Sequence, residues 1–264
     1  MSTVFRLVGI ALTLAVLVTA VSAPALEEGV KTLEPRPGVT ESFLLVRPEG
    51  PPVASVILFS GGEGVLSLKR YGPKWSYGNF LVRSRDLFAA EGLLVAVLDV
   101  PSDHAAGYGR FRVSKEHAGD VSAVIADLKT LAPVPVWLVG TSMGTVSVAF
   151  VAGQLRQGGP DGVVLTSSIT DRSRQTTNTV LDADLDEIRV PTLIVHHKQD
   201  GCVVTQYNVA RLLPGQLTRA PRKEFLSFEG GMPVGDPCES FAYHGYKGIE
   251  PEVVRAIAAW IKAK

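Results

Sequence analysis

The residues whose types and spacing most suggest chemistry are Gly140-Thr141-Ser142-Met143-Gly144. An apolar run, Val134–Val139, leads into them, and an apolar run of small residues, Met143–Leu155, follows. A G-x-S-x-G pattern between a strand and a helix holds its serine in a strained turn, with the hydroxyl exposed above the sheet edge. Side chains at the two flanking positions would collide with the neighbouring strand and helix, and glycine removes the collision. Thr145 and Ser147 keep the start of the helix narrow. The helix N-terminus then aims its dipole and free N–H groups at developing negative charge. The bare five-residue pattern arises by chance about 0.2 times in a chain of this kind, so its weight comes from the flanking elements. The competing reading is a tight turn whose serine only caps the helix.

The elements that must position this serine follow from the hydropathy pattern. Short β-branched runs predict strands at Phe43–Arg47, Ser55–Ser60, Leu93–Val100, Val134–Val139, Gly162–Ser167, Thr192–His197 and Lys223–Phe228. The middle runs are almost continuously apolar, as strands buried on both faces are. Helices are predicted at Asn79–Glu91, ending at Gly92, then from Ser114 to about Leu131, and at Met143–Leu155, Tyr207–Leu213 and Pro251–Ala263. Strands alternating with helices define an α/β chain with a mostly parallel central sheet flanked by helices. Residues 41–264 read as one catalytic domain and residues 26–40 as an extended lead-in. Lys+Arg and Asp+Glu are 26 each, which argues against nucleic acid as the main partner.

With this elbow and these elements, the chain resembles the α/β-hydrolase family, and more narrowly exported serine esterases and dienelactone-hydrolase-like proteins, over residues 41–264. The resemblance implies the order nucleophile, acid, histidine along the chain. Asp200 follows the apolar run Thr192–His197, where the family commonly carries its acid, with Asp171 and Asp99 as rivals. Of five histidines, His244 lies in the late loop where the family places its base. His196 and His197 then read as structural, His117 as a first-turn helix residue, and His104 as too early. For the oxyanion hole the resemblance implies backbone N–H groups from Met143 and from Gly62, with Gly61 as the alternative. Many relatives have His-Gly where this chain has Ser60-Gly61, so the first donor departs from the usual pattern.

The N-terminus carries Arg6, a short apolar run over Leu7–Val21, and small residues at Ala23-Pro24-Ala25. This is the pattern of a secretory signal peptide covering residues 1–25. It implies an exported product, periplasmic or secreted, with no stable membrane span after cleavage. In such a compartment the two cysteines, Cys202 and Cys238, are expected to form one disulfide between the acid loop and the histidine loop. No metal or cofactor motif is found: C-x-x-C, H-E-x-x-H and G-x-G-x-x-G are absent. Relatives often insert a helical cap after the strand corresponding to Gly162–Ser167, whereas only Ile169–Val190 is available here, so little or no cap is expected.

An open site suits short acyl esters or exposed polymer esters, and Met143 with Trp75, Tyr77 or Tyr108 is expected to line it. The expected reaction is carboxylic ester hydrolysis through an acyl-enzyme. A peptidase, thioesterase or acyltransferase of the same fold, or a catalytically silent exported binding protein, stays open as an alternative.

Overall fold

A computed structural model describes Met1 and residues 26–71, 78–174 and 176–263. The expected leader beyond Met1, and Trp75 and Tyr77, lie outside the described residues. Among the described residues eight strands form one sheet: β1 (Glu28–Arg36), β2 (Val39–Val46), β3 (Ala54–Phe59), β4 (Leu93–Leu98), β5 (Val136–Thr141), β6 (Gly162–Thr166), β7 (Thr192–His197) and β8 (Lys223–Phe228). Their order is β1-β2-β4-β3-β5-β6-β7-β8. From β4 to β8 every neighbouring pair is parallel, while β1 and β2 join antiparallel at one edge.

The apolar strands alternate their side chains between two cores. Ile57, Phe59, Leu94, Ala96, Leu98 and Leu138 face one, and Val56, Leu58, Leu93, Val95, Val97 and Val139 face the other. The helices are α1 (Leu68–Tyr71), α2 (Phe80–Arg83), α3 (Arg85–Ala90), α4 (Lys115–Leu131), α5 (Met143–Gln154), α6 (Tyr207–Ala210), α7 (Leu213–Gln216) and α8 (Glu250–Lys262). On the first face α4 contributes Val121, Val124, Ile125 and Leu128, and α5 contributes Val148 and Val151. On the second, α8 contributes Val253, Val254, Ile257 and Ile261, beside Phe80 and Phe88. Both faces of β3 to β7 are therefore covered, which is why those strands read as nearly unbroken apolar runs, whereas the edge strand β8 does not.

Several boundaries differ from the sequence reading for identifiable reasons. Residues 28–36, inside the expected lead-in, are the edge strand β1, whose polar side chains give no apolar signal. The helix expected over Asn79–Glu91 breaks at Ser84, where the backbone leaves the helical region between α2 and α3. The expected Tyr207–Leu213 helix is split, with Pro214 in the first turn of α7, a position that tolerates a residue without an N–H. Ser114 does cap α4, its hydroxyl accepting the His117 N–H at 3.1 Å. Residues 169–190 form two 3-10 turns, Val180–Asp182 and Leu185–Glu187, and no α-helix among those described. Their Val180, Leu185 and Ile188 point into the core, so this segment packs down on the sheet and does not build a helical cap.

His117 lies in the first turn of α4 as expected, yet its ring turns inward and is 1% exposed. It sits among Phe59, Tyr108 and Phe111, with neither ring nitrogen hydrogen bonded. Burial, reinforced by the Arg112 charge, pushes this imidazole down to about 3. The unfolded chain protonates it near 6.5. Stability from the neutral ring is thus complete above pH 6.5 and is lost as pH falls toward 3. We expect His117→Phe to lose less stability than the wild type between pH 7 and pH 5, by about 2 kcal/mol in urea unfolding. Parallel losses in the two proteins would contradict this account.

Candidate active site

The turn from β5 into α5 carries Ser142 at φ 53° and ψ −126°, a strained conformation for a residue with a side chain. The two flanking glycines make it possible. A Cβ on Gly140 would lie 2.6 Å from the Gly144 carbonyl oxygen, and one on Gly144 would lie 2.1 Å from the Phe59 oxygen of β3. The Ser142 N–H donates to the Thr166 carbonyl at 3.1 Å, tying the turn to the end of β6. Thr145 Oγ1 donates to the Ser142 carbonyl at 2.6 Å and accepts the Ile169 N–H at 3.2 Å. The Ser142 side chain makes no capping hydrogen bond to α5, which removes the reading of it as a simple helix cap.

Asp200 and His244 meet from the ends of β7 and β8. His244 Nδ1 is 3.0 Å from Asp200 Oδ2, and both side chains are buried. Thr205 Oγ1 donates to the same carboxylate oxygen at 2.9 Å, and the Cys202 N–H donates to Oδ1 at 3.0 Å. Burial pushes the Asp200 carboxyl up, but the hydrogen bond and charge of His244, with the Cys202 N–H, outweigh it and hold the group below its ordinary value. A carboxylate facing Nδ1 fixes the proton there and leaves Nε2 as the acceptor. Ser142 and His244 line one cleft of about 590 Å³, together with Gly61, Gly62, Asn79 and Glu239.

The rival residues are engaged elsewhere. Asp99 accepts the N–H groups of Leu66, Ser67, Leu68 and Val100, so its carboxylate organises the loop before α1. Asp171 accepts from Thr170 Oγ1 at 2.8 Å. His196 and His197 are both fully buried. His197 Nε2 bonds the Gly230 carbonyl at 3.0 Å, its Nδ1 accepts the Gln199 N–H, and its ring stacks on Tyr243. His104 stacks on Phe111. The expectation that Tyr108 lines the pocket is incorrect: it is 3% exposed and donates its hydroxyl proton to the Asp99 carbonyl. Its ring instead lies under Gly64, where no Cβ would fit.

The loop after β3 approaches Ser142 from the other side. A Cβ on Gly61 would lie 2.9 Å from Ser142 Cβ, and Gly62 takes a positive φ of 59°. Arg112 holds this loop: its guanidinium donates to the Gly62 carbonyl at 2.9 Å and to Ser147 Oγ of α5 at 3.0 Å. Arg112 is 1% exposed, and burial pushes it down to about 10, which leaves it charged at neutral pH. Met143 is the first residue of α5, adjoining the strained serine.

Other positioning residues escaped the sequence reading. Ser167 Oγ donates to the His244 carbonyl at 2.8 Å, and Tyr246 donates its hydroxyl proton to the Val195 carbonyl at 2.9 Å. Both take positive φ without being glycine, which leaves no mark in composition or periodicity. Arg83 donates to the Gly78 and Gly245 carbonyls and to Glu250, fastening the histidine loop to α2 and α8. Gly245 could carry no side chain, because its Cβ would lie 1.9 Å from the Ser240 carbonyl oxygen. The exposed apolar residues Met232, Val234 and Phe241 belong to the same long loop after β8.

No protein-family model matches the chain, and no curated protein matches it. Solved structures do. A lidless α/β serine hydrolase from Xanthomonas campestris aligns at TM-score 0.60 and 14% identity, over 89% of this chain and 94% of that one. An esterase from Pyrococcus furiosus aligns at TM-score 0.62 and 14% identity, over 90% and 92%. Dienelactone hydrolase from Anabaena variabilis aligns at TM-score 0.56 and 16% identity, over 89% and 97%. These neighbours are an α/β serine hydrolase, an esterase and a dienelactone hydrolase, and the chain has the α/β-hydrolase fold.

Cys202 and Cys238 form a disulfide with their Cα atoms 4.5 Å apart, across a sequence separation of 36. It joins the loop of Asp200 to the segment leading into His244, as the sequence predicts. Closing a loop of this length stabilises the native state by roughly 3–4 kcal/mol in the chain-entropy description. Reduction is expected to lower the melting temperature by several degrees, with Cys202→Ser/Cys238→Ser behaving like the reduced wild type. An unchanged melting temperature after verified reduction would refute that contribution.

Proposed function

We propose that this protein is a serine hydrolase that cleaves carboxylic esters through an acyl-enzyme, with Ser142 as nucleophile, His244 as base and Asp200 as its partner. The observation that carries this reading is the buried Asp200–His244 hydrogen bond in the cleft that also holds the strained Ser142. His244 Nε2 takes the Ser142 proton as Oγ attacks the ester carbonyl, and Asp200 stabilises the resulting imidazolium. Collapse of the tetrahedral intermediate expels the alcohol, which receives that proton from His244. Water then attacks the acyl-enzyme, giving its proton to His244, and the acid leaves as Ser142 is regenerated. Backbone N–H groups of Met143 and of Gly62 or Gly61 stabilise the oxyanion in both steps.

Short acyl esters, or ester groups presented at a polymer surface, are the substrates this reading favours. Support comes from residues 169–190, which form no helical cap among those described, and from neighbours described as esterases or as lidless. The reading also has the protein exported to an oxidising compartment, which the Cys202–Cys238 bond supports.

A panel of p-nitrophenyl esters of increasing acyl length tests the assignment. We expect turnover of acetate and butyrate, fading with longer chains, and labelling of Ser142 by a fluorophosphonate. Ser142→Ala should lose roughly a thousandfold or more in kcat/KM while keeping its melting temperature. Equal activity in that variant would overturn the reading.

A further inference from the structure

We propose that the side-chain amide of Asn79 is a third hydrogen-bond donor to the oxyanion; this rests on the serine-hydrolase reading above. Asn79 lies just before α2 and lines the cleft with Ser142 and His244. Its orientation is fixed from one side, since Oδ1 accepts the Leu81 N–H at 3.1 Å. An amide oxygen committed to a backbone N–H leaves Nδ2, which carries only donors, for the opposite direction. Nδ2 makes no hydrogen bond to a described residue.

Its position relative to the serine follows from Gly61. The point where a Gly61 Cβ would sit is 3.5 Å from Asn79 Nδ2 and 2.9 Å from Ser142 Cβ. The amide and the nucleophile therefore converge on one corner of the cleft, which the missing Gly61 side chain leaves empty. A carbonyl attacked by Ser142 Oγ carries its oxygen within a few ångströms of the serine Cβ, and the Gly61-Gly62 loop bounds the same corner. An amide N–H there strengthens its bond as the carbonyl oxygen gains charge, so it acts on the transition state more than on bound substrate.

A residue that merely started α2 would need only its acceptor. Asparagine, aspartate and serine all supply one. Asn79→Ser keeps a cap but is too short to reach the corner, and Asn79→Asp keeps the cap but has no donor. On p-nitrophenyl butyrate we expect each to lower kcat by roughly 100–1,000-fold, with KM changed less than about threefold. A boronate that forms a tetrahedral adduct on Ser142 should weaken in parallel with kcat/KM. Should a variant lose stability, the ratio of boronate affinity to substrate affinity decides: it falls for an oxyanion donor and is unchanged for a cap. Wild-type kcat in Asn79→Ser, or an unchanged ratio, overturns the proposal. Absence of fluorophosphonate labelling in the wild type would overturn the serine-hydrolase reading itself, whereas normal labelling with an active Asn79→Ser sinks only the role of Asn79.

Discussion

The site depends on how closely α5 can approach β3. Gly144 lies so near the Phe59 carbonyl that even a methyl group is excluded, and Gly140 likewise has no room for one against the start of the helix. This contact sets where the turn after β5 can lie, and so holds Ser142 in a backbone conformation that costs of order 1–3 kcal/mol in isolation. Packing over-determines it: the Ser142 N–H is fixed to β6, its carbonyl is held by Thr145, and most of the helix behind it is buried. The position of the serine Cα and Cβ follows from these backbone contacts.

The remaining groups come from the ends of other strands and are joined by polar contacts. Arg112 bridges the loop after β3 to α5, and Arg83 bridges α2 to the histidine loop. Thr205, Ser167 and Tyr246 secure Asp200 and the backbone around His244. Buried cations bonded to main-chain carbonyls are costly to place, yet they fix loop geometry where apolar contacts are too few to do so. Regular elements thus define the sheet edge, and arginines and hydroxyls define how the loops meet above it.

That division explains what was legible in the sequence. Strands β3 to β7 announce themselves because burial on both faces demands uninterrupted apolar runs. The turn at Ser142 is legible because its glycines answer a steric demand, and the cysteine pairing because only two cysteines exist. The juxtaposition of Asp200 with His244 was reached through family order and strand position, since residues 44 apart carry no local signal of contact. Arg83 and Arg112 carry no local signal of their roles, and only the folded chain shows their carbonyl partners. Tyr108 looked like a pocket aromatic, but its hydroxyl has a buried acceptor at Asp99. The edge strand β1 stayed hidden because its side chains remain largely in water.

The long loop between β8 and α8 has a separate consequence. It carries His244 toward its end, yet Met232 and Val234 near its start are largely exposed and absent from both cores. Arg83 and the Cys202–Cys238 bond hold the later part of the loop. Insertions or exchanges around residues 232–236 therefore leave the cores intact. Sequence can drift there over evolutionary time while the packed interior stays constant.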